Sequence, residues 1–269
     1  MNISAQFLAS NKTLLQDKDA GLHAFSSDSN KTLMKEKTLE LSAQIAEFQN
    51  ILYAQQKHKL LIVLQGMDTS GKDGTVRVVF GASNPAGVRS VSFKAPSSVE
   101  LAHDYLWRIH QQVPAAGELV IFNRSHYEDV LITRVHGWIT TEEVKRRYAH
   151  INAFERMLSE TGTTILKFFL HISKDEQKER LEERLKDPHK HWKFDPQDLT
   201  ERASWKDYQD AYQAAISATH TEQAPWHIIP ANSKTQRNLI IASIVAETLA
   251  SLNLSYPDPH PEYFKIKVE

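Results

Sequence analysis

The 269-residue chain contains no cysteine, which excludes disulfide bonds, thiolate metal sites and cysteine nucleophiles together. It also lacks an excess of charge of either sign, with 32 Lys and Arg against 33 Asp and Glu. That balance carries no global signal for binding nucleic acid, so any anion site has to come from local clustering. No stretch approaches the roughly 18 apolar residues of a membrane span. The N-terminus has no cationic segment followed by an apolar run, so it does not read as a secretion signal. Thirteen histidines are present, yet none fall in a His-Glu-x-x-His pattern, and His189-x-His191 is embedded in a lysine-rich stretch. Zinc chemistry is not expected. No linker rich in Gly, Ser or Pro divides the chain, and no internal repeat is visible. These absences leave a soluble, cytoplasmic, enzyme-sized unit as the expectation, with neither nucleic acid nor membrane as partner.

What is present is an alternation of strands and helices. Residues 1–33 are polar and aperiodic, and read as an N-terminal arm lying on the surface or on a neighbouring subunit. From Met34 the pattern turns helical: Met34, Leu41, Ile45, Phe48 and Leu52 form one stripe of a long amphipathic helix, a core contact or, as the weaker alternative, a subunit interface. Five apolar runs of strand length follow, at Leu60–Gln65, Val88–Phe93, Leu119–Phe122, Ile165–Ile172 and His227–Pro230. Helical segments separate them. Ser97 with Glu100, Thr140 with Glu143, and Ser173 with Glu176 fit capping boxes, and Asp195-Pro196 reads as an N-cap with proline at the first helical position. Nearly continuous apolar strands between helices indicate an α/β protein with a parallel sheet covered on both faces. One domain over residues 34–269 is the expectation.

The first strand runs directly into Gly66-x-x-x-x-Gly71-Lys72-Asp73-Gly74-Thr75, and a helical segment follows. That strand–loop–helix context marks a phosphate-binding loop, in which glycines let successive backbone N–H groups converge on one anion and Lys72 adds a full charge. Asp73 stands where such loops commonly carry the Ser or Thr that ligates Mg²⁺. Metal ligation therefore shifts, and Asp68 is the nearest candidate; Asp73 could instead serve the helix start.

Asn123, Arg124, Glu128 and Asp129 sit just past the carboxyl end of the third strand, where ligands bind in parallel α/β sheets. Arg124 suits phosphate oxygens, and the two carboxylates suit metal or nucleotide. Further on, Arg180 and Arg184 share a helix face, and Lys186, Lys190 and Lys193 crowd the segment around Pro188. This group suits a lid over about 180–198 that closes on a polyanion. The alternative is a solvated helix in which Glu176 and Glu183 pair with Arg180. Arg77, Arg89, Lys94 and, more distantly, Arg108 form a fourth basic patch, with Arg77 extending the positive track beyond Lys72. The residues alone leave open an ATP-dependent nucleoside or nucleotide kinase, and a loop protein that binds nucleotide without transferring phosphate.

Taken together, Gly66 to Thr75, Phe122 to Asp129, and Arg180-x-x-x-Arg184-x-x-Asp187-Pro188-x-Lys190-x-Trp192-Lys193 resemble the family-2 polyphosphate kinases over roughly residues 34–250. The family also carries an aspartate at the place of Asp73. The resemblance implies a three-layer αβα sandwich of the P-loop kinase type, with a five-stranded parallel sheet and a helical lid. It implies transfer of phosphoryl groups between inorganic polyphosphate and nucleotides (AMP, ADP, ATP), with Mg²⁺, or Mn²⁺ as an alternative. Under it, Asp68 becomes the catalytic aspartate and metal ligand, with Asp129 helping to hold metal, and Lys72 stabilises the transferring phosphoryl. Arg124, Arg180 and Arg184 clamp phosphates. Many members have Asp at the place of Asn123, and the version seen here resembles the subgroup that phosphorylates both AMP and ADP. A homo-oligomer, dimer or tetramer, is the implied assembly.

Overall fold

A computed structural model describes residues 3–10, 13–23, 25 and 30–268. Its centre is strand β1, Lys59–Gln65, where Leu60, Leu61, Ile62, Val63 and Leu64 are all completely buried. Five consecutive apolar side chains point to alternate faces, so both faces of the sheet must be covered. Each such side chain stabilises the fold by about 1.5–3 kcal/mol relative to exposure. The other strands are β2 (Val88–Ser92), β3 (Leu119–Asn123), β4 (Thr163–His171) and β5 (Trp226–Pro230). They align in the order β2-β3-β1-β4-β5, and every pairing is parallel. The five expected strands are all present, with ends displaced by at most two residues.

Two layers of helices cover the sheet. In one, the Lys31–Gln55 helix packs on the Lys234–Ser251 helix and on the Lys72–Val79 helix. Ile45 and Leu52 of its apolar stripe are fully buried, and Leu41 and Phe48 pack partly buried against the core, so the stripe is a core contact. In the other, the Thr141–Glu160 helix lies on β4 and against the Trp205–Thr219 helix. The caps sit where the sequence placed them. Ser97 and Glu100 complete a reciprocal capping box, while Thr140 and Ser173 accept from the backbone N–H of Glu143 and Glu176. Asp195 accepts from Gln197 N at 2.9 Å, and the helix begins at Gln197, one residue later than a proline-first helix would.

Residues 1, 2, 11, 12, 24 and 26–29 of the arm lie outside the described residues. What is described of it packs on its own chain. Ile3 N and Ser4 N donate to the Glu247 carboxylate at 3.0 and 3.1 Å, Ala9 N donates to Trp226 O at 2.8 Å, and Leu8 bridges antiparallel to His227. The arm thus lies along the open edge of β5. Farther along, Asp17 accepts from Lys174 N at 3.0 Å, tying the arm to the start of the Lys174–Lys186 helix. Among the described residues, no helix is long and apolar enough to cross a membrane.

Candidate active site

Parallel strands deliver their following loops to one edge of the sheet, and β1 and β3 are neighbours there. β1 ends at Gly66, whose φ is 151° and where a Cβ would stand 2.6 Å from Leu170 O. Only glycine fits both conditions. The chain then curls until the Lys72–Val79 helix starts, and Lys72 folds back beneath the curl. Its ammonium donates to Gly66 O at 2.8 Å and Met67 O at 3.3 Å. Burial, and after it the Arg124 charge, push Lys72 down to about 8. Two more carbonyls of the curl are taken from behind: Arg180 Nη1 donates to Thr69 O at 2.8 Å, and Arg237 Nη1 to Ser70 O at 2.9 Å. Thr69 itself has a φ of 65°, a conformation that costs a non-glycine residue about 1–3 kcal/mol and needs such holding.

The curl forms the floor of a lobe of about 690 Å³. Six cations line it, Lys72, Arg77, Lys94, Arg124, Arg184 and Lys193, against only two carboxylates, Asp68 and Asp73. A second lobe of about 650 Å³ shares Asp68, Phe93, Lys94, Ala95 and Arg124 with the first, so the two are continuous. Its character is different. Phe93, Tyr105 and Trp138 supply aromatic surface, and Glu128, Asp129, Asp195 and Asp198 stand among Arg108 and Arg147.

The contacts between segments are specific. Arg124, at a φ of 62°, donates to Asp68 Oδ1 at 2.5 Å and lies 3.7 Å from Glu128. Glu128, and after it Asp68, raise the Arg124 guanidinium still further above its ordinary value, so it stays charged. Asn123 Nδ2 donates to Asp73 Oδ1 at 2.6 Å, and Lys193 lies 3.9 Å from the other oxygen of Asp73. Asp73 therefore joins the loop, the β3 end and the lid rather than capping the helix, whose N-cap is Gly71. Arg184 lies 3.3 Å from Asp198 and donates to Lys193 O at 3.2 Å. Burial, with Asp68 nearby, pushes Asp198 up to about 6.

Glu128 and Asp129 belong to a short 3-10 turn, His126–Val130, anchored by a fully buried network. Lys167 Nζ donates to Glu155 at 2.6 Å, to the Tyr127 hydroxyl at 2.9 Å and to Thr219 O at 2.7 Å; Tyr127 donates in turn to Glu155 at 2.8 Å. Asp129 Oδ2 is buried without a hydrogen bond, 3.8 Å from Arg108, and Asp129 Oδ1 lies 3.9 Å from Arg147. Burial outweighs the two arginines and pushes Asp129 up to about 6.

Several residues expected at the substrate face elsewhere. Arg180 is 5 % exposed; besides Thr69 O it donates to Glu176 at 2.7 Å, Ala231 O at 2.6 Å and Asn232 O at 2.9 Å. Every arm of its guanidinium is engaged behind the loop, and the Glu176 pairing weighed from sequence is present. Thr75 is fully buried and its hydroxyl meets Asn238 at 3.3 Å. Lys186 and Lys190 are exposed and line neither lobe, Lys190 pairing with Asp187 at 3.1 Å. Arg89 serves the far end of β2, donating to Glu118 at 3.1 Å and to the carbonyls of Gln112 and Val113. Conversely, Tyr105, Arg147, Asp198 and Arg237 escape sequence reasoning. Arg237 lies 167 positions beyond Ser70, at the head of a helix that also begins with Lys234, so no sequence signal singles it out.

The polyphosphate kinase 2 family pattern matches residues 28–256. The chain belongs to the polyphosphate kinase 2 family. It is 56 % identical over 229 residues to the AMP/ADP-polyphosphate phosphotransferase of Meiothermus ruber, covering 85 % of this chain and 86 % of that protein. It is 44 % identical over 230 residues to the ADP-polyphosphate phosphotransferase of Rhodopseudomonas palustris, covering 81 % and 80 %. The crystal structure of polyphosphate kinase 2 from Arthrobacter aurescens superposes with a TM-score of 0.90 at 45 % identity, covering 96 % of this chain and 93 % of that one. The P-loop kinase fold expected from the sequence is therefore the fold of this chain.

Proposed function

We propose that this protein moves the terminal phosphoryl group of inorganic polyphosphate onto AMP and then ADP, giving ADP and ATP reversibly. The observation that carries the reading is the pairing of two unlike lobes at one junction. A lobe with six cations suits a donor that is charged along its whole length, and the aromatic, mixed-charge lobe suits a base and ribose. Both share Asp68 and Arg124, so the reacting phosphates meet there.

Transfer proceeds by in-line displacement, in which an ionised phosphate oxygen of the nucleotide attacks the terminal phosphorus of the chain. No strong base is required. Lys72 and Arg124 spread the charge that develops on the transferring group, and Arg184 and Lys193 close over it from the lid. A divalent ion, Mg²⁺ by preference, would be held by Asp68 with help from Asp129. The donor set fits: Asp68 and Asp129 line the same lobe, and Mg²⁺ characteristically takes one or two carboxylates and completes its shell with water and phosphate. Asp129 Oδ2 is buried without a hydrogen bond, with Arg108 at 3.8 Å, and so keeps a lone pair for a metal ion. Such an ion neutralises phosphate charge when bound. Residues 34–269 work as one domain with its lid at about 180–198, in the cytoplasm, as a homo-oligomer and without nucleic acid.

Incubation with AMP, polyphosphate and Mg²⁺, followed by separation of the nucleotides, tests this directly. ADP followed by ATP is expected, and ADP alone would narrow the activity to AMP. No nucleotide product from polyphosphate, with turnover when a nucleoside triphosphate is the donor, would overturn it.

A further inference from the structure

Behind the phosphate loop lies a buried charge that no described residue neutralises. Arg237 is 2 % exposed on the Lys234–Ser251 helix. Its Nη1 donates to Ser70 O at 2.9 Å, and its Nε and Nη2 donate to Asn238 Oδ1 at 3.1 and 2.9 Å. All of these acceptors are neutral. No carboxylate among the described residues comes within ion-pair reach, and the one charge acting on it is another cation, Arg180. Burial, with that repulsion added, pushes Arg237 down to about 9. Two other buried cations of this protein have carboxylates, Lys167 with Glu155 at 2.6 Å and Arg180 with Glu176 at 2.7 Å, whereas Lys72, like Arg237, donates to neutral oxygens. A buried charge without a partner is costly, and its presence calls for a counter-ion from elsewhere.

The geometry shows from where. A peptide carbonyl and the N–H that follows it point in opposite directions across a trans bond. With Ser70 O held from behind by Arg237, the N–H of Gly71 faces the cationic lobe, which Gly71 lines. The fit is close. Gly71 has a φ of 99°, and a Cβ there would stand 1.9 Å from Arg237 Nη1. Arg237 itself does not line the lobe, so it acts through the loop and not on the substrate.

We infer that Arg237 is a positioning residue for the polyanionic donor: it fixes the Ser70–Gly71 peptide with its amide towards the phosphate and lends the loop a buried positive charge whose counter-ion is the bound phosphate chain. The inference rests on reading the cationic lobe as the polyphosphate site. It separates two contributions that Lys72 combines, since Arg237 supplies field and geometry without touching the reacting atoms.

The test compares wild type, Arg237→Gln and Arg237→Lys by calorimetric binding of inorganic tripolyphosphate and by steady-state kinetics. Arg237→Gln is expected to weaken tripolyphosphate and to raise the KM for polyphosphate by about tenfold or more, with the KM for ADP within about twofold of wild type. Its binding should depend less on salt, because one interacting charge is gone. Unfolding of the ligand-free protein should change little, since a lost hydrogen bond offsets a lost unpaired charge. Arg237→Lys keeps the charge but not the rigid fork, so tripolyphosphate binding should survive while kcat falls. The inference is overturned by Arg237→Gln binding tripolyphosphate within about twofold of wild type, or raising both KM values alike. If Arg237→Gln does not fold, a folded Arg237→Lys that has lost tripolyphosphate binding overturns it instead. Wild type that binds tripolyphosphate yet makes no ATP from ADP and polyphosphate would overturn the donor reading and leave the binding comparison intact.

Discussion

The phosphate loop and the lid face each other across the same lobe with similar residue types, yet they are held in opposite ways. In the loop, Lys72 is buried, its ammonium bonds backbone carbonyls, and two further buried arginines brace the curl from outside. In the lid, Trp192 is 78 % exposed, Lys190 reaches only its own Asp187, and Lys193 lies 3.9 Å from Asp73. The difference teaches what each half contributes. The loop presents charge braced by buried groups from other elements, whereas the exposed segment around Pro188 is tied mostly to itself, through Arg184 with Lys193 O, His191 with Leu185 O and Lys190 with Asp187. Arg180 and Arg184 mark the boundary. They are one helical turn apart on the same helix, but the first belongs to the loop's scaffold and the second to the substrate lobe.

That contrast can be broken most severely at Lys72. Lys72→Ala should lower kcat by about 10²–10³-fold while the protein stays folded, checked by turnover and circular dichroism. Next in size is the split between the two arginines. Arg180→Ala should destabilise the fold by about 2–4 kcal/mol in denaturant titration, because it frees two buried carbonyls and a part-buried one at once. Arg184→Ala should leave that midpoint nearly unchanged and lower kcat/KM for polyphosphate by about 10–100-fold. Equal stability losses in the two variants would erase the boundary.

A pH series sharpens the loop side. Lys72 sits at about 8 in the free protein and carries its charge below that pH. Tripolyphosphate should therefore bind best below 8 and progressively less well above it, with net proton uptake on binding near pH 8, where the anion restores the ammonium. Calorimetry in buffers of different ionisation enthalpy measures the uptake, and its absence would show that Lys72 is already fully charged. The smallest effect is expected at Lys190, where alanine should change kcat/KM by no more than about threefold, as for an exposed ion pair.

The sequence made the framework readable because strand β1 and its neighbours are uninterrupted apolar runs and because capping residues stand at the helix starts. The loop was equally plain, since its glycines answer to backbone geometry that no other residue satisfies. What escaped was the far side of each contact. Nothing local distinguishes Arg180 from Arg184, as their roles depend on whether carbonyls or solvent await them across a tertiary contact. Asp73 reads from sequence as part of the phosphate loop, with a helix-start role as the alternative, and its link to Asn123 depends on β1 and β3 being neighbours. Tyr105, Arg147 and Arg237 come from segments with no motif, and only the fold brings the first two to the crevice and the third behind the loop.

The arm along β5 has a practical consequence for handling the protein. Strand β5, Trp226–Pro230, is the last strand of an all-parallel sheet, and the residues around Leu8 and Ala9 occupy its outer hydrogen-bonding edge. An uncovered edge presents unpaired backbone N–H and C=O groups, a template on which other chains add strands. A shortened protein beginning after Ser10 would keep every residue of both lobes and could retain activity in dilute solution. Its weakness would be colloidal: turbidity on concentration, with Trp226 to Pro230 as the sticky seam.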